Sequence, residues 1–299
     1  MSSGSCLRCG SEWGIVRRFG EPRAGSGVIQ VHCIACRIAP PAKRGAQQSK
    51  GTDISSTTAQ RLDRLLANLA YATRKEISAA CTAGRVTLDG AALHNPAHLI
   101  PLDKVRAGAL HFDGAPVDPP APLTLMLHKP AGCTCSHNAP GAPGAIVYDL
   151  LPPRFRARKP ALSTVGRLDK DSTGQLLFTD DGALLHRIIH PKTHAAKHYR
   201  VTLRDPLRGD EAALFATGTF MLRDDDKPLK PAVWRAESTH SGVMILTEGR
   251  YHQLRRMFGA VGNHVVALHR FQTGALALGD LPQGQYRILS TEELARIFA

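Results

Sequence analysis

No run of eighteen apolar residues occurs in this chain, so a membrane-spanning helix is not expected. Its opening, Met1-Ser2-Ser3-Gly4-Ser5-Cys6, lacks the basic and apolar segments of a secretory leader. A soluble, cytoplasmic protein without a membrane partner is the expectation. Acid is in short supply: 25 Asp and Glu stand against 38 Lys and Arg, a formal net charge of +13. Each phosphate met by Lys or Arg releases condensed counterions, so a polyanion, nucleic acid first, is the favoured class of partner. Seven cysteines are an odd number in a chain with no export signal, which argues against a disulfide framework and for reduced thiols.

What is present is unevenly spread. The chain has 299 residues, 43% of them apolar, enough for two ordinary cores and an appendage. Residues 1–50 carry eight Lys and Arg against two acids, residues 51–120 seven against seven, and residues 121–299 twenty-three against sixteen. The excess of positive charge therefore sits at the two ends. The first segment, residues 1–45, holds Cys6 and Cys9 in one Cys-x-x-Cys pair and Cys33 and Cys36 in another. Four thiolates so arranged suit tetrahedral zinc, whose binding would supply the folding energy that so short a segment cannot obtain from burial. The spacer is longer than in the commonest zinc pattern, and a redox pair or an iron-sulfur site is the alternative.

A polar stretch settles into a linker over residues 46–58, with no apolar periodicity. From Ala59 the pattern turns helical, Leu62, Leu65, Leu66 and Leu69 recurring along one face. Thr73 and Glu76 form a capping box for a second helix, which buries Ile77, Ala80 and Cys81 before Gly84 ends it. Arg85 to Gly90 alternates as a strand running into a turn. Two short helices and a small sheet over residues 59–112, with Arg61, Arg64, Arg74, Lys75 and Arg85 outside the core positions, resemble the S4 RNA-binding domain. The resemblance implies that those five side chains contact RNA; a solvated basic face is the plainer alternative.

Residues 113–122 contain four prolines and are expected to form a hinge. The domain beyond it, residues 123–299, opens on the apolar strand Leu125 to Lys129, broken by Pro130 and Gly132. Strands at 197–203 and 242–247 mix with helices at 183–190 and 251–260 and a closing helix begun by a Ser290–Glu293 capping box. That order predicts an α+β domain on a mixed or antiparallel sheet.

One stretch of this domain places a carboxylate on a sharp turn between two apolar strands: Gly166-Arg167-Leu168-Asp169-Lys170-Asp171-Ser172-Thr173-Gly174-Gln175-Leu176-Leu177-Phe178. Thr164-Val165 and Leu176-Leu177-Phe178 supply the strands, and Ser172-Thr173-Gly174 the small residues that let a ligand approach. An aspartate in such a loop commonly caps its own turn through amides two or three residues on, here those of Asp171 or Ser172. His186, His190, His194 and His198 recur every four residues, but Pro191 interrupts the helix, so they are read as structural or RNA-facing rather than as metal ligands. Cys133 and Cys135 have no second pair and read as small core or loop residues.

The stretch around Asp169 resembles the catalytic motif of the pseudouridine synthases. Lys197-His198-Tyr199-Arg200-Val201 resembles the family's second motif, whose tyrosine packs against the target base. Glu248-Gly249-Arg250-Tyr251-His252-Gln253-Leu254-Arg255 resembles the third, whose basic residue, here Arg255, pairs with the catalytic aspartate. In Gly262-Asn263-His264-Val265-Val266-Ala267-Leu268-His269-Arg270, Leu268 stands where the family has an apolar wall of the uracil pocket. Lys129-Pro130-Ala131-Gly132 matches an early, mainly structural motif. Within the family, residues 248–270 and 284–289 are most similar to the bacterial enzymes that act on small-subunit (16S) ribosomal RNA.

The resemblance implies an isomerase that needs no cofactor and turns a uridine into pseudouridine. Asp169 would act as the ionised group at the ribose or ring, Arg255 would steady its charge and orientation, and Tyr199 would offer a flat face and a hydroxyl. Arg167 would fill the gap left by the everted base, a phosphate contact being the alternative. The expected partner is 16S ribosomal RNA or a small-subunit assembly intermediate, and the expected state is a monomer. A large-subunit (23S) ribosomal RNA enzyme and a non-catalytic assembly factor are the competing readings. Gln175 departs from the family's apolar residue and brings the packing of the turn into question.

Overall fold

The computed structural model describes residues 59–137, 146–190, 193 and 195–299, together with two short strands, β1 (Gly4–Ser5) and β2 (Glu12–Trp13). The cysteines Cys6, Cys9, Cys33 and Cys36 and the linker 46–58 lie outside the described residues. The chain divides into two compact units, Met1–Ser56 and Thr57–Ala299. The second unit contains a small module with its own core and a large module built on one sheet.

The small module runs β3 (Ala59–Arg61), α1 (Leu62–Asn68), α2 (Arg74–Thr82), β4 (Val86–Leu88), β5 (Ala91–Ala92), β6 (Leu99–Pro101), α3 (Leu102–Arg106), β7 (Leu110–Phe112) and β8 (Ala115–Pro116). The leucine stripe is buried as its spacing predicts: Leu62, Leu65, Leu66 and Leu69 meet Ile77, Ala80 and Cys81 of α2. The capping box is formed, Glu76 N donating to Thr73 Oγ1 while the Glu76 carboxylate accepts from Thr73 N. The helix expected from Ala59 begins three residues later. Ala59–Arg61 pairs instead with β6, and Leu62 N donates to His98 O, long-range bonds that no local periodicity reports.

The stretch expected as a hinge is more ordered than its prolines suggest. β8 completes a hairpin with β7 across Asp113 and Gly114, whose positive φ values suit the tight turn. Val117 enters the small core. Asp118 then ties the two modules: its carboxylate accepts from the Arg154 guanidinium and from the Tyr71 hydroxyl, and its N–H donates to Tyr71 Oη. Beneath it Arg158 and Asp180 form an ion pair shut off from solvent, Nη2 to Oδ2 at 3.1 Å. Burial pulls the arginine down and the carboxylate up, each opposed by the other's charge.

The large module runs β9 (Thr124–Lys129), α4 (Pro153–Ala157), β10 (Ser163–Val165), β11 (Thr173–Thr179), α5 (Gly182–Ile189), β12 (Lys197–Leu203), α6 (Glu211–Ala216), β13 (Val233–Ala236), β14 (Ser241–Leu246), α7 (Gln253–Ala260), β15 (Val265–Thr273), β16 (Leu276–Ala277), β17 (Tyr286–Ile288) and α8 (Thr291–Ala295). Nine of its strands form one sheet in the order β13-β14-β12-β15-β11-β9-β17, with β10 beside β11 and β16 beside β15. Only the β11–β15 pair is parallel, so the sheet is mixed, as expected. Its central strands are buried on both faces. Leu125, Leu127, Leu176 and Phe178 enter one core while Met126 and Leu177 enter the other, which is why these strands read as continuous apolar runs.

Candidate active site

The turn that carries Asp169 is fixed by the residues around it. β10 and β11 pair through Val165 and Leu177, Gly166 takes φ +72°, and Ser172 N donates to the main-chain O of Asp169. Lys129, at the end of β9 and fully buried, donates from Nζ to the carbonyls of Pro130, Lys170 and Ser172 at 2.8 to 3.0 Å. Gly132 N adds a second bond to Lys170 O, and Leu168 N donates to Cys135 Sγ. The early Lys-Pro-Ala-Gly motif is therefore the clamp of the turn that carries Asp169. Desolvation holds the Lys129 ammonium below its usual pKa, opposed by Asp169 and Asp171 nearby.

Gly174 has a different reason to be small from the one expected. It takes φ +110°, and a Cβ there would lie 2.1 Å from the carbonyl O of Arg270 on the parallel strand β15. Close approach of two backbones, not of a ligand, requires the glycine. Gln175 is fully buried and fully bonded: Nε2 donates to Leu276 O, and Oε1 accepts from Thr273 Oγ1. It is a polar node joining β11, β15 and β16, so its departure from an apolar residue leaves the packing intact.

Because the turn amide at Ser172 goes to a main-chain oxygen, the Asp169 carboxylate is left for other partners. Arg255 Nε lies 3.8 Å from Oδ2 and His252 Nε2 lies 3.4 Å from Oδ1. Arg255 is itself steadied by donating from Nη1 to Val265 O. His252 precedes α7 in the left-handed conformation, φ +48°, with its ring stacked on Tyr251 at 4.0 Å. These groups are 28% to 40% exposed, so solvent screens their attraction, and orientation matters more than pairing energy.

Asp169 opens into a cavity of about 590 Å³, within the range that holds small organic ligands. Tyr199 and Leu268, both buried, line it from neighbouring strands β12 and β15, and exposed Arg167 stands on its wall. Arg255 reaches the acid without lining the cavity. Four of the five expected active-site residues thus share one space, and the fifth touches the acid. The basic residues of the small module do not belong to it: Arg61 pairs with Asp63 and Arg85 with Asp113, while Arg64, Arg74 and Lys75 are exposed. Among the described residues no group of three or more His, Cys, Asp and Glu could hold a metal; His186 and His190 lie ring to ring, and His198 packs on Phe271.

Four residues of this site were not singled out from the sequence for the roles they take. His252 was hidden inside a motif read for its arginine. Lys129 passed as generically structural. Lys197 and Arg270 line the cavity, and a signal for them was available: Lys197 precedes Tyr199 by two and Arg270 follows Leu268 by two, the period that puts strand side chains on one face. Burial, with Arg270 and Lys230 nearby, holds Lys197 down to about 8.

Residues 124–260 match the family described as RNA pseudouridylate synthase. The chain is similar to the ribosomal small subunit pseudouridine synthase A of Escherichia coli strain K12, 39% identical over 240 residues that cover 79% of this chain and 99% of that one. The protein of the same name from Yersinia pestis is 39% identical over 242 residues, covering 80% and 98%. A solved pseudouridylate synthase matches with a TM-score of 0.55 and 33% identity over 79% of this chain and 99% of that one.

Proposed function

Because this chain belongs to the RNA pseudouridylate synthase family, we propose that it isomerises one uridine of 16S ribosomal RNA to pseudouridine, with Asp169 as the reacting carboxylate. The observation that carries this is the Asp169 carboxylate, unused by its own turn, opening beside Arg255 and His252 into a cavity lined by Tyr199 and Leu268. The uridine is everted at a cost of a few kcal/mol, and Arg167 takes up the gap it leaves. Tyr199 and Leu268 hold the detached ring while it turns from N1 to C5, so that the second bond forms within one encounter. Asp169 either bonds to the electron-poor ribose or takes a proton from it, and Arg255 keeps the carboxylate aimed. These steps need no cofactor.

The choice of small-subunit RNA rests on the relatives' shared name and near-complete coverage. In this reading the protein works as a cytoplasmic monomer on 16S ribosomal RNA or an assembly intermediate. The module at residues 59–112 acts as an S4-like grip through Arg61, Arg64, Arg74, Lys75 and Arg85, and zinc on Cys6, Cys9, Cys33 and Cys36 folds the first segment. Metal analysis of the reduced, zinc-replete protein tests the last point: one equivalent is expected, and less than about half would defeat it.

A site-resolved pseudouridine map of ribosomal RNA from cells with and without the protein tests the whole. One 16S position should lose its pseudouridine; loss confined to 23S RNA would replace the assigned substrate, and no loss anywhere would remove the activity.

A further inference from the structure

Arg270 is 4% exposed, yet only its Nε is used, donating to the main-chain O of Gln175 at 2.8 Å. Its two terminal nitrogens have no partner among the described residues, and the residue lines the cavity. Lys197, half-buried, lines the same cavity and an adjoining one of about 260 Å³, with Nζ bonded, among the described residues, only to Ala195 O at 3.2 Å. Neither cation has an ion pair among the described residues. A buried guanidinium and a half-buried ammonium side by side without a counter-charge are costly, which points to an anion that is present only part of the time.

Their aim is built into the sheet. β12 and β15 pair with Lys197 opposite Thr273 but with Tyr199 opposite Arg270, a shift between His198 and Tyr199 that leaves Phe271 as the extra residue. Such a bulge changes which side chains share a face. As a result Leu268, Arg270 and Thr273 all reach the cavity, although strict alternation would send Thr273 to the other side from Arg270. The two cations therefore share the wall on which Tyr199 and Leu268 would hold the ring.

We propose that Arg270 and Lys197 form a cationic wall that takes up the negative charge of the uracil ring once its bond to the ribose breaks. This deepens the proposed isomerisation and rests on it. When the N1–C1′ bond cleaves, its electron pair stays with the ring and spreads onto O2 and O4. C1′ is left electron-poor and is met by Asp169, as a bond or through loss of a neighbouring proton. After the ring turns, C5 gives a pair to C1′, any bond from Asp169 to C1′ breaks with its pair returning to the carboxylate, and any proton taken from the sugar is returned; the hydrogen of C5 departs as a proton and N1 gains one. No external oxidant or reductant enters. Charge absent from bound uridine and present in the transition state is what a fixed, dry cation stabilises selectively. The depressed pKa of Lys197 agrees with a site that is short of negative charge until the reaction supplies it.

The test compares single-turnover isomerisation of a 16S RNA fragment by the full chain and by Lys197→Met, Lys197→Arg and Arg270→Lys. Lys197→Met should slow bond cleavage by about 10²- to 10³-fold while leaving RNA affinity within about twofold. Replacing the target by 5-fluorouridine, whose ring anion is intrinsically more stable, should recover at least about tenfold of that loss, which a merely structural defect would not. In wild type the cleavage rate should fall as pH rises through about 8, where Lys197 loses its proton. Asp169, Arg270, Arg250, His252, Arg167, Lys170, Tyr199 and Tyr251 face the first cavity and Lys230, Glu248 and His190 the second, so the fall is assigned by its disappearance in Lys197→Arg. Should Lys197→Met fold poorly, that pH comparison and the 5-fluorouridine response of Arg270→Lys decide the matter. Full cleavage rates combined with weaker binding and a smaller salt dependence would make these residues phosphate contacts and overturn the proposal. A wild-type protein that forms no pseudouridine would instead remove the activity beneath it.

Discussion

The small module and the cavity module use positive charge in opposite ways. In the small module these basic side chains lie in water, Arg61 paired with half-buried Asp63 and Arg85 with exposed Asp113, where solvent or a phosphate can reach them. In the large one Lys129 and Arg270 are buried and Lys197 is half-buried, and each is anchored on a main-chain carbonyl. Charge of the first kind adapts to many phosphates and gives affinity with little selectivity; charge of the second cannot move and acts at one point. Chemistry is therefore expected to fail when the buried set is disturbed, and binding to weaken when the exposed set is.

Three substitutions sharpen that contrast, in descending order of effect. Gly174→Ala forces a Cβ against the Arg270 carbonyl at a φ of +110° and has no flexible neighbour to displace. A loss of about 3 kcal/mol or more follows, seen as a drop of about 6 °C or more in thermal unfolding. An unchanged Tm would show that the β11–β15 contact is looser than described. Lys129→Met removes the ammonium that ties the carbonyls of Pro130, Lys170 and Ser172 together behind Asp169; turnover should fall about 10²-fold with RNA affinity kept, because a small misplacement of Asp169 is enough. His252→Asn keeps a residue tolerant of the left-handed backbone while removing the imidazole, and should cost only about two- to fivefold in rate, since the pair is half in solvent.

The exposed set should answer differently. Arg74→Ala with Lys75→Ala should weaken RNA binding and lower the slope of log affinity against log salt by up to about 2, with the rate on bound RNA unchanged. A loss of rate at saturating RNA would contradict the division of labour between the modules.

How far the sequence could be read follows the range of the interactions. The capping boxes at Thr73 and Ser290, the leucine stripe of α1 and the strand carrying Tyr199 are local patterns, and they were legible. The acid turn was legible as a turn. Why it holds its shape was not, because Lys129 reaches carbonyls about forty residues away and Gln175 its partners about a hundred away. The same blindness placed Ala59 in a helix when β6 claims it as a strand. Gly174 shows the subtler case: the need for a small residue was readable, but the neighbour that imposes it lies on a strand with no sequence proximity.

The most direct measurement is single-turnover pseudouridine formation on 16S RNA by wild type and by Asp169→Asn at matched, saturating protein. The substitution keeps the size and the turn but removes the charge beside Arg255 and His252. The account predicts a rate at least about 10³-fold lower, with unchanged circular dichroism and RNA affinity. A variant that still turns over within about tenfold of wild type would contradict it, because the reacting group would then lie elsewhere.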